Sequence, residues 1–394
     1  MARLLACWEL GSGLGHVARL ASVSRALGKI GHTSSFAARD VVTAGVLKNS
    51  PFESLIQAPI YMRGSKDGSI YTFSDVYEYA GLGDKSALAQ LIRAWLSVFT
   101  ATKVQGIYGS FSPVSILAAY VGGLPAARIG TPFTCPQASN IRSSVLPWRK
   151  KPPSRNEEVV DEVIRSVCKD FRVPVLDGLK GLLSTAQPFL TSWPEMEIGH
   201  TRTDVDYYGP LDGLAPAASA NWNSKNQLRI LVYMPKNNPR NNALAEALAS
   251  FGAEKIWIDP RAKQETITDD FQIVSSPLDI RKSLESASLF VTRGGHGTAL
   301  ESISAGCPML ILPDTLETER NAWALASRGL AVAITGNDLA SNHRLISENI
   351  LRLTQTDAPH RLAAQALKEK YKHYAPNRAA HLLAVNIARS LRIE

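Results

Sequence analysis

Leu289-Phe290-Val291-Thr292-Arg293-Gly294-Gly295-His296-Gly297-Thr298, continuing as Ala299-Leu300-Glu301-Ser302-Ile303-Ser304-Ala305, is the stretch whose reading decides the fold. Leu289 to Thr292 has the unbroken apolar character of a buried strand, and Thr298 to Ala305 has helical spacing with Leu300, Ile303 and Ser304 on one side. Gly294, Gly295 and Gly297 make the loop between them free of side-chain bulk. Such glycines let backbone approach an anion closely. The free N–H groups and positive dipole end of the new helix, roughly half a charge, favour phosphate there. Arg293 adds a permanently charged fork suited to phosphate oxygens. Glu301, one turn into the helix, is placed to accept two hydrogen bonds from a ribose diol. A tight strand-to-helix turn with no ligand is the plainer reading of the same residues.

The amino terminus repeats the grammar. Residues 3–10 form an apolar strand that runs into Gly11-Ser12-Gly13-Leu14-Gly15-His16, then a helix pattern with Val17, Leu20, Val23, Ala26 and Leu27. Gly31-His32-Thr33 opens a second strand in the βαβ manner. The spacing is Gly-x-Gly-x-Gly with His16 where a dinucleotide fold has its third glycine, which argues against a nicotinamide cofactor. At a helix start, a neutral imidazole has a lowered tendency to carry a proton and is placed for acid–base work. A capping or packing histidine is the alternative.

The run Gly-Gly-His-Gly-Thr-Ala-Leu-Glu-Ser-Ile-Ser-Ala-Gly-Cys-Pro, followed by Pro313, Glu317, Thr318, Asn321 and Ala322, resembles the donor-binding signature of nucleotide-sugar-dependent glycosyltransferases of the GT-B fold. The nearest pattern is family 1, which includes macrolide and UDP-glucuronosyl transferases. The resemblance implies an α/β protein of two Rossmann-like β/α/β domains facing a central cleft. It implies that Gly295, Gly297 and Thr298 hold the donor diphosphate, that Glu301 meets the ribose, and that Glu317 with Thr318 meets the sugar hydroxyls. Gly294 and Arg293 join the phosphate site on the reading of the loop itself, and His296 within it reaches phosphate or acceptor or faces solvent. Pro277 and Leu278 stand where the nucleobase loop lies. Gly13, Gly15 and His16 match the glycine-rich first βα loop and its catalytic histidine. Four positions depart from family 1. Arg293 replaces its usual histidine and resembles the arginine of the peptidoglycan-lineage transferase that glycosylates a lipid diphosphate. Glu317-Thr318 replaces Asp-Gln. Ser110, in Ile107-Tyr108-Gly109-Ser110, stands where an aspartate orients the histidine, and a hydroxyl stabilises an imidazolium far less than a carboxylate does. Glu9 or Asp75 is a candidate to supply that charge instead.

At 394 residues and 45% hydrophobic content, the chain can bury substantial cores, and its length suggests two domains or three. A net charge of +8 favours anionic ligands, but basic residues are dispersed and no nucleic-acid motif is present, so no nucleic-acid partner is expected. Cys7, Cys135, Cys168 and Cys307 lie far apart without a CxxC pair, as expected of reduced thiols in a cytoplasmic protein. The opening residues are too short an apolar run for a signal peptide, and no apolar stretch reaches the length of a spanning helix. No acidic pair or His/Cys spacing suggests a metal.

The domain plan is residues 1–210 for the acceptor side, with helix 377–394 packing back on it, a linker at 211–226 rich in Ala, Ser, Asn and Pro, and 227–376 for the donor side. Strands are expected at 107–110, 188–193, 228–234, 255–259, 271–275 and 310–312. Helices are expected at 88–99, 156–185, 242–251, 279–286, 321–328 and 361–373. Tyr61, Tyr71, Phe73 and Tyr77 are either acceptor-stacking or core aromatics. Trp148-Arg149-Lys150-Lys151 reads as a solvated loop or as a contact with an acidic inner membrane face. The implied activity is inverting, metal-independent transfer from a nucleoside diphosphate sugar, UDP-sugar favoured, to a hydroxyl of a small-molecule or lipid acceptor, with no cofactor. A UDP-sugar epimerase and a catalytically inactive nucleotide-sugar-binding partner subunit are the rival readings. Oligomeric state is open.

Overall fold

A computed structural model describes the chain except residues 48, 63–69, 150–155, 212–217, 223–227, 236–240, 337–341 and 394. The chain packs as two units. The first comprises Met1–Trp193, Arg202–Leu214 and Ala375–Glu394, and the second comprises Pro194–Thr201 and Ala215–Tyr374.

In the first unit the strands are β1 (Arg3–Trp8), β2 (Thr33–Ala38), β3 (Leu55–Gln57), β4 (Gly106–Ser110), β5 (Ala126–Gly130) and β6 (Gln187–Leu190). They form one sheet in the order β3-β2-β1-β4-β5-β6, parallel throughout. Its helices are α1 (Leu14–Lys29), α2 (Val41–Ala44), α3 (Phe73–Tyr77), α4 (Lys85–Thr102), α5 (Pro113–Val121), α6 (Asn156–Asp170) and α7 (Gly178–Ser184). A parallel sheet is covered on both faces, which is why Leu4 to Trp8 and Ile107 to Ser110 are buried without alternation. One face is closed by α1 together with the last helix of the chain, Pro376–Ser390. Leu383, Ala384 and Ile387 of that helix share a core with Leu20, Val23 and Leu27. Asn386 Nδ2 donates to the Tyr208 hydroxyl at 2.7 Å on the same side.

In the second unit β7 (Arg229–Tyr233), β8 (Glu254–Ile258), β9 (Thr266–Ile267), β10 (Phe271–Val274), β11 (Leu289–Thr292), β12 (Met309–Ile311) and β13 (Ala331–Ala333) run in the order β13-β12-β11-β7-β8-β10-β9. Only β9 pairs antiparallel, at the edge. The helices are α8 (Asn242–Ala249), α9 (Ile280–Leu284), α10 (His296–Ala305), α11 (Leu316–Ala326), α12 (His343–Thr354) and α13 (Pro359–Lys370), so the last helix of the chain is α14. Both sheets therefore reverse direction about a central first strand. A parallel sheet binds ligands beyond the carboxyl ends of the strands at that reversal.

Several boundaries differ from the sequence reading. The helix expected over 156–185 is two, α6 and α7, broken by Val173-Pro174, since proline cannot continue a helix. Helix α11 starts at Leu316 rather than 321, because Thr315 and Thr318 form a capping box. The span read as a linker is partly built into the second unit. Ala218 bridges to Leu278, Ala220 N–H donates to Ser283 Oγ at 2.8 Å, and Gln272 Nε2 donates to Asn221 O at 3.0 Å. Residues 194–201 also belong to that unit, where Glu195 accepts from Lys370 Nζ at 2.6 Å and from the Tyr371 hydroxyl at 2.7 Å. Lys150 and Lys151 lie outside the described residues, and Trp148 and Arg149 are exposed. Among the described residues no helix is long and apolar enough to cross a membrane.

Candidate active site

In the first unit the reversal falls between β1 and β4, and the loops that follow those strands meet. Leu10 N–H donates to Phe111 O at 3.0 Å. Gly13 caps α1 at φ +87° with no side-chain cap, and Gly13 and Gly15 are both exposed. His16, in the first turn of α1, is 7% exposed and lies between the rings of Trp8 (5.4 Å) and Phe111 (6.5 Å), nearly parallel to both. Its Nδ1 is 3.0 Å from Ser110 Oγ. Its Nε2 abuts Gly11, where a Cβ would come within 2.5 Å of it.

The expected orienting position therefore reaches the histidine, although through a hydroxyl. Arg19, one turn further along α1, donates to the same Ser110 oxygen at 3.2 Å and to Thr191 Oγ1 at 2.7 Å. Burial, with Arg19 and Arg39 nearby, pushes the imidazole down to about 3. Neither acid proposed from the sequence compensates. Glu9 turns its carboxylate to the start of α5, accepting from Val114 N–H (2.9 Å) and Ser115 N–H (2.5 Å), and burial raises it to about 7. Asp75 is used in the capping box that opens α3, accepting from Tyr71 and Thr72 N–H.

Beside this loop a cavity of about 270 Å³ is lined by Leu10, Gly11, Ser12, Arg39, Ile70, Val76, Tyr79 and Phe111. Of the aromatic candidates, Tyr61 lines a smaller neighbouring hollow with Arg39 and Tyr79. Phe73 and Tyr77 are core residues against Phe133 and Phe111.

In the second unit the reversal falls between β7 and β11. The loop after β7 continues into residues 236–240, outside the described set. After β11, Gly294 adopts φ +85°, and a Cβ there would come within 2.7 Å of Ile311 and 3.3 Å of the Thr318 carbonyl, so only glycine fits. Asn321 Nδ2 holds the Gly294 carbonyl at 3.0 Å. Gly295 caps α10 with no side-chain cap, and the first intrahelical bond runs from Ala299 N–H to Gly295 O, so the helix presents the early N–H groups of Gly297 and Thr298 at its tip. His296 is buried, Gly297 exposed, and Thr298 Oγ1 bonds back to Gly295 O at 2.9 Å. Arg293 is half exposed and pairs with Asp314, after β12, at 2.9 Å. Glu301 and Glu317 are half-buried.

Thr318 is placed differently from the expectation. Its hydroxyl accepts from Asp314 N–H (3.1 Å) and Thr315 N–H (2.9 Å), and it is buried. It serves the cap of α11. Pro277 is exposed and Leu278 half-buried, just before Asp279, whose carboxylate caps α9 through Lys282 N–H at 3.0 Å. Among the described residues no group of three or more His, Cys, Asp or Glu is arranged to hold a metal ion. Arg19, Arg39, Phe111 and Asp314 were not marked by sequence reasoning. Phe111 carries a signal visible only in the backbone, a left-handed φ of +53° on a bulky residue.

Residues 252–377 match the glycosyltransferase family 28 C-terminal domain. The chain is similar over its full length to solved glycosyltransferases. These include VinC in complex with DTDP (TM-score 0.71, 14% identity, 100% of both chains) and the spinosyn rhamnosyltransferase SpnG complexed with thymidine diphosphate (0.68, 17%, 98% of this chain and 100% of that one). SnogD from Streptomyces nogalater is also similar (0.60, 17%, 98% and 99%). The fold is GT-B. At these identities the structural likeness speaks to the fold, and the family match in the second unit adds to it in supporting a transferase enzyme. No curated protein matches the sequence.

Proposed function

We propose that this GT-B chain is an inverting, metal-independent glycosyltransferase that moves a sugar from a nucleoside diphosphate sugar to a hydroxyl of a small-molecule or lipid acceptor. The observation that carries the reading is the uncapped, glycine-led start of α10 inside the segment that matches the family 28 domain. Backbone N–H groups at that tip are donors fixed before the reaction, and each donor aimed at developing charge is typically worth ~3 kcal/mol. They meet the diphosphate as it leaves, a task that a metal performs in other enzymes.

Arg293 can add to this field by exchanging Asp314 for phosphate, because a half-exposed ion pair is worth only about 0–1 kcal/mol. An arginine there also keeps the narrower peptidoglycan-type reading of the donor side as a proposal. Glu301, one turn along α10, is the proposed ribose-diol contact, which favours UDP. Thymidine diphosphate is the ligand named for VinC and SpnG, so both carriers belong in the test. Glu317 is the proposed sugar-hydroxyl contact, Thr318 being occupied by its cap.

On the acceptor side, His16 is neutral at every physiological pH and sits at the reversal of the first sheet. For a hydroxyl acceptor it is the proposed base, with Ser110 fixing its ring, while the oxygen attacks the anomeric carbon opposite the departing diphosphate. Four free, buried cysteines accord with a cytoplasmic enzyme. The test is a panel of nucleotide sugars screened for thermal stabilisation and then for diphosphate release with and without acceptor. Release that needs an acceptor supports transfer. Sugar isomerised without acceptor indicates an epimerase, and binding with no release at any acceptor indicates an inactive subunit.

A further inference from the structure

The polar environment of His16 is cationic where a catalytic histidine ordinarily has an anion. Ser110 replaces the carboxylate, Arg19 donates to that serine at 3.2 Å, and Glu9 spends its carboxylate on Val114 and Ser115 N–H. A serine oxygen that receives an arginine N–H is a better donor through its own proton. It can therefore direct O–H to His16 Nδ1, which sets the imidazole proton on Nε2 at the Gly11 wall of the cavity. In that tautomer the histidine offers a hydrogen bond to an acceptor that brings no proton, and in the other it serves a hydroxyl acceptor as base.

The cavity has the matching polarity. Leu10, Ile70, Val76 and Phe111 give apolar walls, and among the described residues Arg39 is its one charged lining residue. Arg39 Nη1 is held by the Glu9 backbone carbonyl at 2.5 Å, and among the described residues Arg39 is in no ion pair. An apolar pocket with a guanidinium in its lining selects a ligand of apolar body and anionic head.

We propose that this cavity also takes an apolar carboxylic acid as acceptor, whose carboxylate sits against Arg39, Gly11 and Ser12 and is itself the attacking nucleophile. This inference rests on the glycosyltransferase reading and adds a second acceptor class beside the hydroxyl. A carboxylate oxygen forms the new C–O bond at the anomeric carbon as the bond to the diphosphate breaks, and the electron pair leaves on the nucleoside diphosphate. No proton is removed. The products are a glycosyl ester and the free diphosphate, and a strong base is not required.

The probes are 2-naphthoic acid, 2-naphthol and 2-naphthylmethanol, which share a ring system, each added to the full chain with UDP-glucose or dTDP-glucose. The acid is expected to bind roughly tenfold or more tightly than either alcohol, and Arg39→Gln to remove that preference while Arg39→Lys retains most of it. The naphthoyl product is expected to be cleaved by hydroxylamine, as an ester is and an ether is not. Equal or tighter binding of an alcohol, or an undiminished preference in Arg39→Gln, overturns the proposal. Nucleotide-sugar stabilisation measured in the same samples separates the two readings. Intact donor binding without acid preference sinks the acid acceptor alone. Acid preference without donor binding sinks the transferase reading and leaves an acid-binding site.

Discussion

The β1–α1 and β11–α10 loops occupy the same topological position in two parallel sheets, and each starts a helix on a glycine with no side-chain cap. They handle charge in opposite ways. In the second unit the positive field is supplied by backbone, and the one cation in the loop, Arg293, is neutralised by Asp314 at 2.9 Å. In the first unit the field comes from side chains, Arg19 and Arg39, with a buried carboxylate turned away and a histidine kept neutral between two aromatic rings. A backbone field is fixed by the fold, whereas a side-chain field can be changed by substitution without disturbing the sheet.

The contrast is broken most sharply by His16→Ala. Transfer to a neutral hydroxyl is expected to fall by roughly 10²–10⁴ in kcat with donor affinity unchanged, as for loss of a general base. Transfer to a carboxylate is expected to change far less. Steady-state kinetics with 2-naphthylmethanol and 2-naphthoic acid decide this, and equal losses on both acceptors contradict the account.

A pair of glycine changes separates the loops. Gly294→Ala places a methyl within 2.7 Å of Ile311 at φ +85° and is expected to abolish measurable nucleotide-sugar stabilisation. Gly11→Ala places one within 2.5 Å of His16 Nε2 and is expected to lower turnover while donor binding survives. Donor binding lost in both variants would mean that the two loops do not have separate duties.

Glu9 gives a pH signature of the first unit alone. Burial raises its carboxyl from an ordinary 4.5 to about 7, so the folded chain holds that proton more tightly than the unfolded one. The stability it contributes is full below pH 4.5 and is lost as pH rises through 7, on the order of 3 kcal/mol in total. Chemical denaturation of Glu9→Gln between pH 4.5 and 8 should show a flatter decline than the wild type. A parallel decline contradicts the assignment.

Arg293→Ala carries the smallest expected effect, a several-fold loss of donor affinity measured by titration, since the guanidinium must first leave Asp314. A loss of a hundredfold or more would make the arginine, rather than the helix tip, the main anion contact.

Most strands were legible in the sequence because a parallel sheet covered on both faces demands continuous apolar runs, and the glycine loops because tight turns demand glycine. The Ser110–His16 pair could be placed by resemblance. Arg19 and Arg39 could not, since their approach depends on how α1 and β2 lie against β1 and β4, which no local pattern encodes. Thr318 was read as a sugar contact although Thr315 and Thr318 have the spacing of a cap, and reading that cap would also have moved the start of α11 back to Leu316. Asp314 was overlooked because its partner, Arg293, is on the neighbouring strand's loop, twenty-one residues earlier.

The most direct test is a proton NMR time course of UDP-α-glucose or dTDP-α-glucose with the protein and 2-naphthoic acid. The account predicts that the α-anomeric signal of the donor is replaced by a β-linked naphthoyl ester together with nucleoside diphosphate. An unchanged donor, an isomerised nucleotide sugar, or a product of retained α configuration would contradict it.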